Sequence, residues 1–400
     1  MNHEFDITIY GAIGFTGTLA TRYLSDGAVD HSELKLAIAG RNQEKLSVLA
    51  ASCAKQPTVV VAASDDIDAI EAMVRRSKVV LNFAGPFALY AEHIIAACAR
   101  QGRTYLDITG ESPFVRKMLA KYQDVAEASG GRVIPFSGFD SVPADLMAQL
   151  ALEFAAATQL NLDRLSAYYE LQGGLNGGTL ASILEISKDT SIPTLFDSKM
   201  LVLDPSWPPV PPQKLTLHYE PYLKSWSVPF VMAAVNQAVF QRSQWLRHRL
   251  GQPVTTTRYE EHQCFGQKMS ALKCLAAAAA LGTLGSLTTG ALGRKILQKI
   301  GPKPGEGPSA TVQSHAWFRA QMLGSLDGKP QVLVTMSRKG DPGNEITITM
   351  ACEAAKLAAE GKFSTRLCGF LTPSVAFSGD LKNRLEKAGF QFSTQSIGKK

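Results

Sequence analysis

Four hundred residues exceed what one core of about 150 residues organises, so two to three domains are expected. Hydrophobic residues at 45% against 19% charged exclude a disordered chain, and 33 glycines and 20 prolines are too ordinary for a collagen-like or low-complexity one. The net charge of +6 is not concentrated in any long run, so no nucleic-acid partner is expected. Six cysteines without a Cys-x-x-Cys pair, and seven histidines never four residues apart, point to reduced thiols and no metal.

The first strand pattern opens at about Asp6, so no secretory leader is expected. The expected compartment is the cytoplasm or the cytoplasmic face of a membrane or lipid surface. Up to about residue 145, short β-branched runs alternate with helical stretches. Strands are predicted at Asp6 to Tyr10, Leu34 to Ala39, Thr58 to Ala62, Val79 to Ala84, Thr104 to Ile108 and Arg132 to Phe136. Helices are predicted at Glu92 to Gln101 and Phe114 to Ser129. This is the βαβ rhythm of an α/β, doubly wound parallel sheet of Rossmann type.

Gly11-Ala12-Ile13-Gly14-Phe15-Thr16-Gly17 follows the first strand and opens a helix carrying Leu19, Ala20, Tyr23 and Leu24. A turn poor in Cβ atoms lets the backbone approach a pyrophosphate, whose charge meets unpaired amides and the positive end of the helix dipole. Gly11, Ile13, Gly14, Phe15, Thr16 and Gly17 are the expected diphosphate-binding residues; the alternative is a plain strand-to-helix turn. Arg41 closes the second strand where an NAD enzyme usually places an acid. A guanidinium there suits a 2′-phosphate, which selects NADP(H) over NAD(H). Ala84, Gly85 and Pro86 end the fourth strand and would turn beneath the nicotinamide half.

Asp107 and Glu111, at the carboxyl end of the next strand, are candidate acid/base or orienting groups, with capping of the following helix as the structural alternative. Asp140 and Ser141 repeat that placement one strand later: Ser141 with exposed amides could stabilise an enolate oxygen, and Asp140 could orient them. Pro143 and Asp145 suit the first turn of the helix that follows. Tyr90 is a candidate proton donor or a packing residue. No tyrosine has a lysine four residues on, and no Gly-x-Ser-x-Gly elbow exists, so hydride transfer is the strong candidate.

After residue 145 the pattern becomes α+β. Strand-like runs at Leu165 to Leu171, Lys214 to Tyr219, Thr255 to His262, Ala316 to Leu323 and Gln331 to Met336 are interleaved with helical segments. Leu326-Asp327-Gly328-Lys329 predicts a tight hairpin. Asp204 to Gln213 and Gly301 to Pro308 read as loops, and helical patterns at Ile346 to Ala359 and Gly379 to Ala388 close the chain. Residues 274–293 carry no charge, enough for about 30 Å of helix, yet mostly Ala, Gly, Ser and Thr. Such a helix could be buried, pair with a second copy, span a bilayer, or touch lipid through its flanking Lys268, Lys273, Arg294, Lys295 and Lys299.

Taken together, these segments resemble the saccharopine dehydrogenase-like oxidoreductases, in particular their trans-acting enoyl reductase branch. The resemblance rests on YGAIGFTG (Tyr10 to Gly17), AGR (Ala39 to Arg41), VLNFAGPF (Val80 to Phe87), YLDITGE (Tyr105 to Glu111) and GFDSVPADL (Gly138 to Leu146). It extends through VPFVMAAVNQAVFQRS (Val228 to Ser243), PGEGPS (Pro304 to Ser309), GDPG (Gly340 to Gly343) and FLTPSVAF (Phe370 to Phe377). It implies an NADP-type Rossmann domain with a saccharopine-reductase-like α+β domain, in proteins acting on lipid-linked double bonds or found at lipid surfaces.

The resulting expectation is a nucleotide-binding domain at 1–145, a substrate or dimerisation domain at 146–340, and C-terminal helices at 341–400 packing back on the first. The expected activity is NADPH-dependent reduction of a C=C (enoyl) bond in a small hydrophobic or lipid-linked substrate, with peripheral membrane contact and a homodimer as further expectations. One alternative is a saccharopine-type amino-acid dehydrogenase acting on a C–N bond. Arg242, Arg247, Arg249 and Arg258 could then hold carboxylates, although Arg242 to Arg249 read as a solvated helix face. The other is a nucleotide-binding lipid-surface protein without catalysis.

Overall fold

A computed structural model describes residues 3–26, 34–173, 197–214, 216–254, 257–265, 290–300 and 309–398, with isolated positions between 181 and 185 and between 271 and 282. Alternating apolar runs in the first third produce β1 (Phe5–Tyr10), α1 (Phe15–Asp26), β2 (Leu36–Gly40), α2 (Gln43–Ala51), β3 (Thr58–Val61), α3 (Ile67–Arg76) and β4 (Ser77–Asn82). The short α4 (Phe87–Tyr90), α5 (Glu92–Gln101), β5 (Thr104–Asp107), α6 (Ser112–Ser129), β6 (Arg132–Ile134) and α7 (Val142–Ala157) follow.

The six strands are parallel in the order β6-β5-β4-β1-β2-β3, the doubly wound arrangement that the βαβ rhythm predicts. Successive side chains leave a strand on opposite faces, so each strand feeds two cores. Ile7, Ile9, Ile38, Leu81, Leu106 and Ile134 join one apolar cluster, whereas Tyr10, Ala37, Ala39, Val80, Tyr105 and Val133 join another with α3, α5 and α6. Both faces must be covered, and the C-terminal segment helps to cover one of them.

The second sheet has seven strands, the edge strand Gln391–Ser396 (β14) first, in the order β14-β12-β11-β7-β10-β9-β8. It is built from β7 (Arg164–Gln172), β8 (His218–Glu220), β9 (Ser225–Pro229), β10 (Arg258–Cys264), β11 (Trp317–Leu326) and β12 (Lys329–Lys339), with the long α8 (Ala233–Arg249) between β9 and β10. All its pairings are antiparallel except β7 with β10. Asp327 and Gly328, both with positive φ (51° and 73°), make the predicted two-residue hairpin turn between β11 and β12. Before and after this hairpin lie α9 (Ala291–Ile300), α10 (Ala310–Ser314), α11 (Thr347–Ala359) and α12 (Pro373–Lys387).

The last sixty residues contain two strands that periodicity did not reveal. β13 (Gly369–Phe370) pairs in parallel with β6 as a seventh strand of the first sheet, and β14 (Gln391–Ser396) forms the edge of the second. Helix α11 packs on α1, β4, β1 and β5, where Tyr23 donates to the buried Glu353 at 2.8 Å. One apolar cluster runs from Ile7 and Leu81 through α7 and α11 to Tyr169, Tyr259, Phe318 and Val332, so the two sheets share a core.

Most of the uncharged 274–293 segment lies outside the described residues, as does 301–308. Among the described residues no helix is long and apolar enough to cross a membrane, and no group of His, Cys, Asp and Glu could hold a metal ion.

Candidate active site

The carboxyl ends of β1, β4, β5 and β6 define one edge of the parallel sheet, the edge where open α/β sheets bind ligands. At β1, Gly11 takes φ 74° and its missing Cβ makes room for the neighbouring loop: a Cβ would stand 2.7 Å from the Ala84 amide nitrogen. Gly17, in the first turn of α1, would bring a Cβ to 2.2 Å from the Gly11 carbonyl oxygen. The amides of Phe15, Thr16 and Gly17 have no acceptor among the described residues, while Gly14 and Thr18 close the turn through bonds to Gly11 and Gly14. Exposed Arg41, just past β2, has no hydrogen-bond or charged partner among the described residues.

Three buried side chains fix the next stretch of the edge. Asn82 accepts from the Ala84 amide at 2.8 Å and donates to the Tyr105 hydroxyl at 3.0 Å. Tyr105 in turn donates to Asp107 at 2.8 Å, and the second Asp107 oxygen accepts from the Thr109 amide at 3.0 Å. Burial pushes Asp107 up to about 7. Glu111 does not cap its own helix. Its carboxylate accepts from the Phe87 and Ala88 amides at 2.9 and 2.8 Å, holding the first turn of α4, and from the Ser182 hydroxyl at 2.7 Å. Asp107 and Glu111 thus shape the loop around Ala84, Gly85 and Pro86. Tyr90, at the end of α4, is 38% exposed.

Beyond β6 the arrangement changes. Ser141 occupies the N-cap position of α7 but makes no capping bond, and its buried hydroxyl has no partner among the described residues. The Asp140 carboxyl, half-buried, likewise has no side-chain hydrogen bond among the described residues, and burial pushes it up to about 6. Asp145 serves another helix: it accepts from the Ser243 hydroxyl at 2.5 Å and the Ser374 amide at 2.8 Å. The GDPG segment forms a π-helical turn, Pro342–Ile346, in place of the predicted helix start. Thr347, next to it, accepts from the Phe139 amide at 3.2 Å and so braces the Asp140 loop.

The second sheet contributes residues that the motifs did not point to. Glu261 on β10 is fully buried and accepts from the hydroxyls of Tyr259 (2.6 Å) and Tyr169 (2.9 Å) and from the Asn236 amide (3.0 Å). Asn236 also donates to the Asp140 carbonyl oxygen at 2.7 Å. Gln213 bonds both the N–H and the C=O of Glu261 at 2.8 and 2.7 Å. Tyr259 and Glu261 alternate on one face of a strand, and that spacing was the available signal. Three residues past β9, the terminal methyl of Met232 sits where a Cβ on Gly110 would approach to 3.1 Å, so the second domain reaches over the β5 loop.

Two of the arginines considered for substrate carboxylates are engaged elsewhere. Arg242 is buried, correcting the solvated-face expectation, and donates to Phe370 O at 2.7 Å, Gln123 at 2.9 Å and Leu201 O at 3.4 Å. Arg249 pairs with Glu127 at 2.5 Å. Arg247 is mostly enclosed, and burial lowers its proton affinity; Arg258 is exposed.

The saccharopine dehydrogenase NADP binding domain family matches residues 7–134. Across nearly the whole chain, a trans-acting enoyl reductase of Mycobacterium tuberculosis (strain ATCC 25618 / H37Rv) is 30% identical, with 98% of each chain covered, and a related protein of that strain is 31% identical over the same share. This chain belongs to the trans-acting enoyl reductase family. The Mycobacterium leprae (strain TN) trans-acting enoyl reductase is 29% identical, again over 98% of each chain. The fold is that of saccharopine dehydrogenase (L-Glu forming) from Saccharomyces cerevisiae, with a TM-score of 0.53, 13% identity and 98% and 99% coverage. Homospermidine synthase from Legionella pneumophila, in complex with NAD, gives 0.54 at 10% identity with 99% and 92% coverage.

This trans-acting enoyl reductase family member is an NADP(H)-dependent oxidoreductase, and its residues fit that cofactor. The unpaired amides of Phe15, Thr16 and Gly17 would receive the diphosphate, and the unpartnered Arg41 the 2′-phosphate. Arg41→Ala is therefore expected to weaken NADPH binding roughly 10- to 100-fold, the equivalent of about 1.5–3 kcal/mol for hydrogen bonds to a charged group. NADH binding should stay unchanged, as titration calorimetry with both nucleotides will report.

The buried acids also set a pH dependence. Asp107 and Glu261 are each raised to about 7 and Asp140 to about 6, in every case chiefly by burial. The folded chain therefore holds more protons than the unfolded one between about pH 4 and 7, so this contribution to stability falls as pH rises through that window. The cofactor-free protein should melt at a lower temperature at pH 8 than at pH 5.5, and Glu261→Gln should flatten the slope, as read by calorimetry.

Proposed function

We propose that this oxidoreductase reduces the carbon–carbon double bond of an α,β-unsaturated acyl compound with a hydrophobic, lipid-derived chain. When bound, NADPH supplies a hydride to the β carbon and leaves as NADP⁺. The chain's own residues have the remaining tasks: polarising the carbonyl oxygen and delivering a proton to the α carbon. The observation that carries the reading is the pair Asp140 and Ser141, whose side chains have no partner among the described residues although they stand at the carboxyl edge of β6.

That edge lies two strands from β4, whose loop would back the nicotinamide, and strands are spaced about 4.8 Å apart. The Ser141 hydroxyl, released from capping, donates to the carbonyl oxygen. Asp140, which burial allows to keep its proton up to about pH 6, protonates the α carbon. A hydrophobic substrate is supported by the corner formed by α4 and the 230–232 turn around Gly110 and Glu111. Leu89 is 55% exposed there and Val231 73%, beside Tyr90. The same corner is where peripheral contact with a lipid surface would occur.

The test is NADPH oxidation by the pure protein with α,β-unsaturated acyl thioesters of increasing chain length. Turnover that improves with chain length supports the reading; turnover of saccharopine instead would overturn it. The amino-acid dehydrogenase alternative is disfavoured because Arg242 and Arg249 are already engaged.

A further inference from the structure

Glu261 is a buried carboxylate with no lysine or arginine against it among the described residues; neutral donors alone surround it. Such a group is costly to bury, and full satisfaction by hydrogen bonds makes its surroundings rigid. Three elements converge on it. β7 contributes Tyr169, β10 contributes Tyr259, and α8 contributes Asn236, whose single amide nitrogen spans from the Glu261 carboxylate to the Asp140 carbonyl oxygen. The loop residue Gln213 clamps the Glu261 backbone from the far side, and Phe230 N donates to the Glu261 carbonyl at 3.0 Å.

We propose that Glu261 is a positioning residue: through Asn236, whose amide nitrogen donates both to the Glu261 carboxylate and to the Asp140 carbonyl oxygen, it fixes the Asp140–Ser141 turn of the nucleotide-binding domain against the second sheet. This deepens the reading above and rests on it only for the purpose that Asp140 serves. The titratable groups facing the pair are Tyr169 from β7, Tyr259 from β10 and, farther off, Asp145 from α7. A charge on Asp140 adds to the proton affinity of Glu261, whereas Asp140 is raised by burial alone.

Glu261→Gln keeps the shape but removes the charge, and turns an N–H donor toward Tyr or Asn donors. The test is carboxyl NMR of full-length protein labelled with ¹³C at the aspartate side-chain carboxyl, with NADP⁺ bound, the Asp140 resonance being assigned by Asp140→Asn. The Asp140 midpoint is expected to fall towards the ordinary carboxylate range in Glu261→Gln, because a turn no longer held through Asn236 admits water to a carboxyl that burial raises. It should return towards the wild-type value in Glu261→Asp, which restores a carboxylate acceptor for Asn236. In turnover, Glu261→Gln should lower kcat about 10-fold and shift the alkaline limb of the pH profile down with the NMR midpoint, with KM for NADPH unchanged. An Asp140 midpoint unmoved in Glu261→Gln overturns the positioning role. A wild-type protein inert towards every unsaturated acyl thioester, with the Asp140 midpoint nevertheless moved by Glu261→Gln, defeats the enoyl reading alone and upholds the positioning role.

Discussion

Gly17→Ala is expected to weaken NADP(H) binding about 100-fold. A methyl at this position would lie 2.2 Å from the Gly11 carbonyl oxygen and 2.9 Å from the Ala12 Cα, and both atoms belong to the backbone. No rotamer change can relieve that clash, so either the first turn of α1 lifts off β1 or the Gly11 turn moves. Overpacking of this kind costs about 1–3 kcal/mol, and backbone against backbone belongs at the upper end. Either displacement redirects the amides of Phe15 to Gly17 that would receive the diphosphate. Titration calorimetry measures the loss, and circular dichroism should show the fold retained. Binding at the wild-type level would mean that the diphosphate does not rest on this turn.

Asp140→Asn is expected to lower kcat by about 10² to 10⁴, the usual contribution of a general acid. The change is close in shape, and the carboxyl it replaces has no hydrogen-bond partner among the described residues, so NADPH affinity and melting temperature should hold. The pH profile carries the sharper expectation. Burial raises Asp140 to about 6, so wild-type kcat should fall as pH rises beyond that value, because the acid must carry its proton to act. In the asparagine variant this limb should vanish. An unchanged kcat would remove Asp140 from the chemistry and leave Ser141 without its companion.

Much of the first domain was legible because local pattern and tertiary role agree there. Strand alternation and the βαβ rhythm match the parallel sheet, and the Asp327-Gly328 turn demanded positive φ at both positions. The legible part ends where the partners are distant in sequence. Asp107 and Glu111 read as acid/base or orienting candidates with capping of α6 as the alternative, yet Glu111 holds α4, a helix some two dozen residues earlier, because the β4 and β5 loops are neighbours only in the folded sheet. Arg242 sits among helix positions that alternate poorly, and its burial depends on carbonyls from β13 and the 201 loop. Strand β13 is two residues long, and β14 is a mostly exposed edge rich in Ser, Thr and Gln, so neither carries an apolar signal. Glu261 was hidden for the same reason: Asn236, Tyr169 and Gln213 meet it only through the register of β7 with β10 and the crossing of α8.

The most direct measurement uses NADPH deuterated at the transferable position of nicotinamide C4, an α,β-unsaturated acyl thioester and mass spectrometry of the product. The account predicts one deuterium at the β carbon, and in heavy water with ordinary NADPH one deuterium at the α carbon instead, the latter transfer collapsing in Asp140→Asn. A product that gains no label from the cofactor, with NADPH left unoxidised, would contradict it.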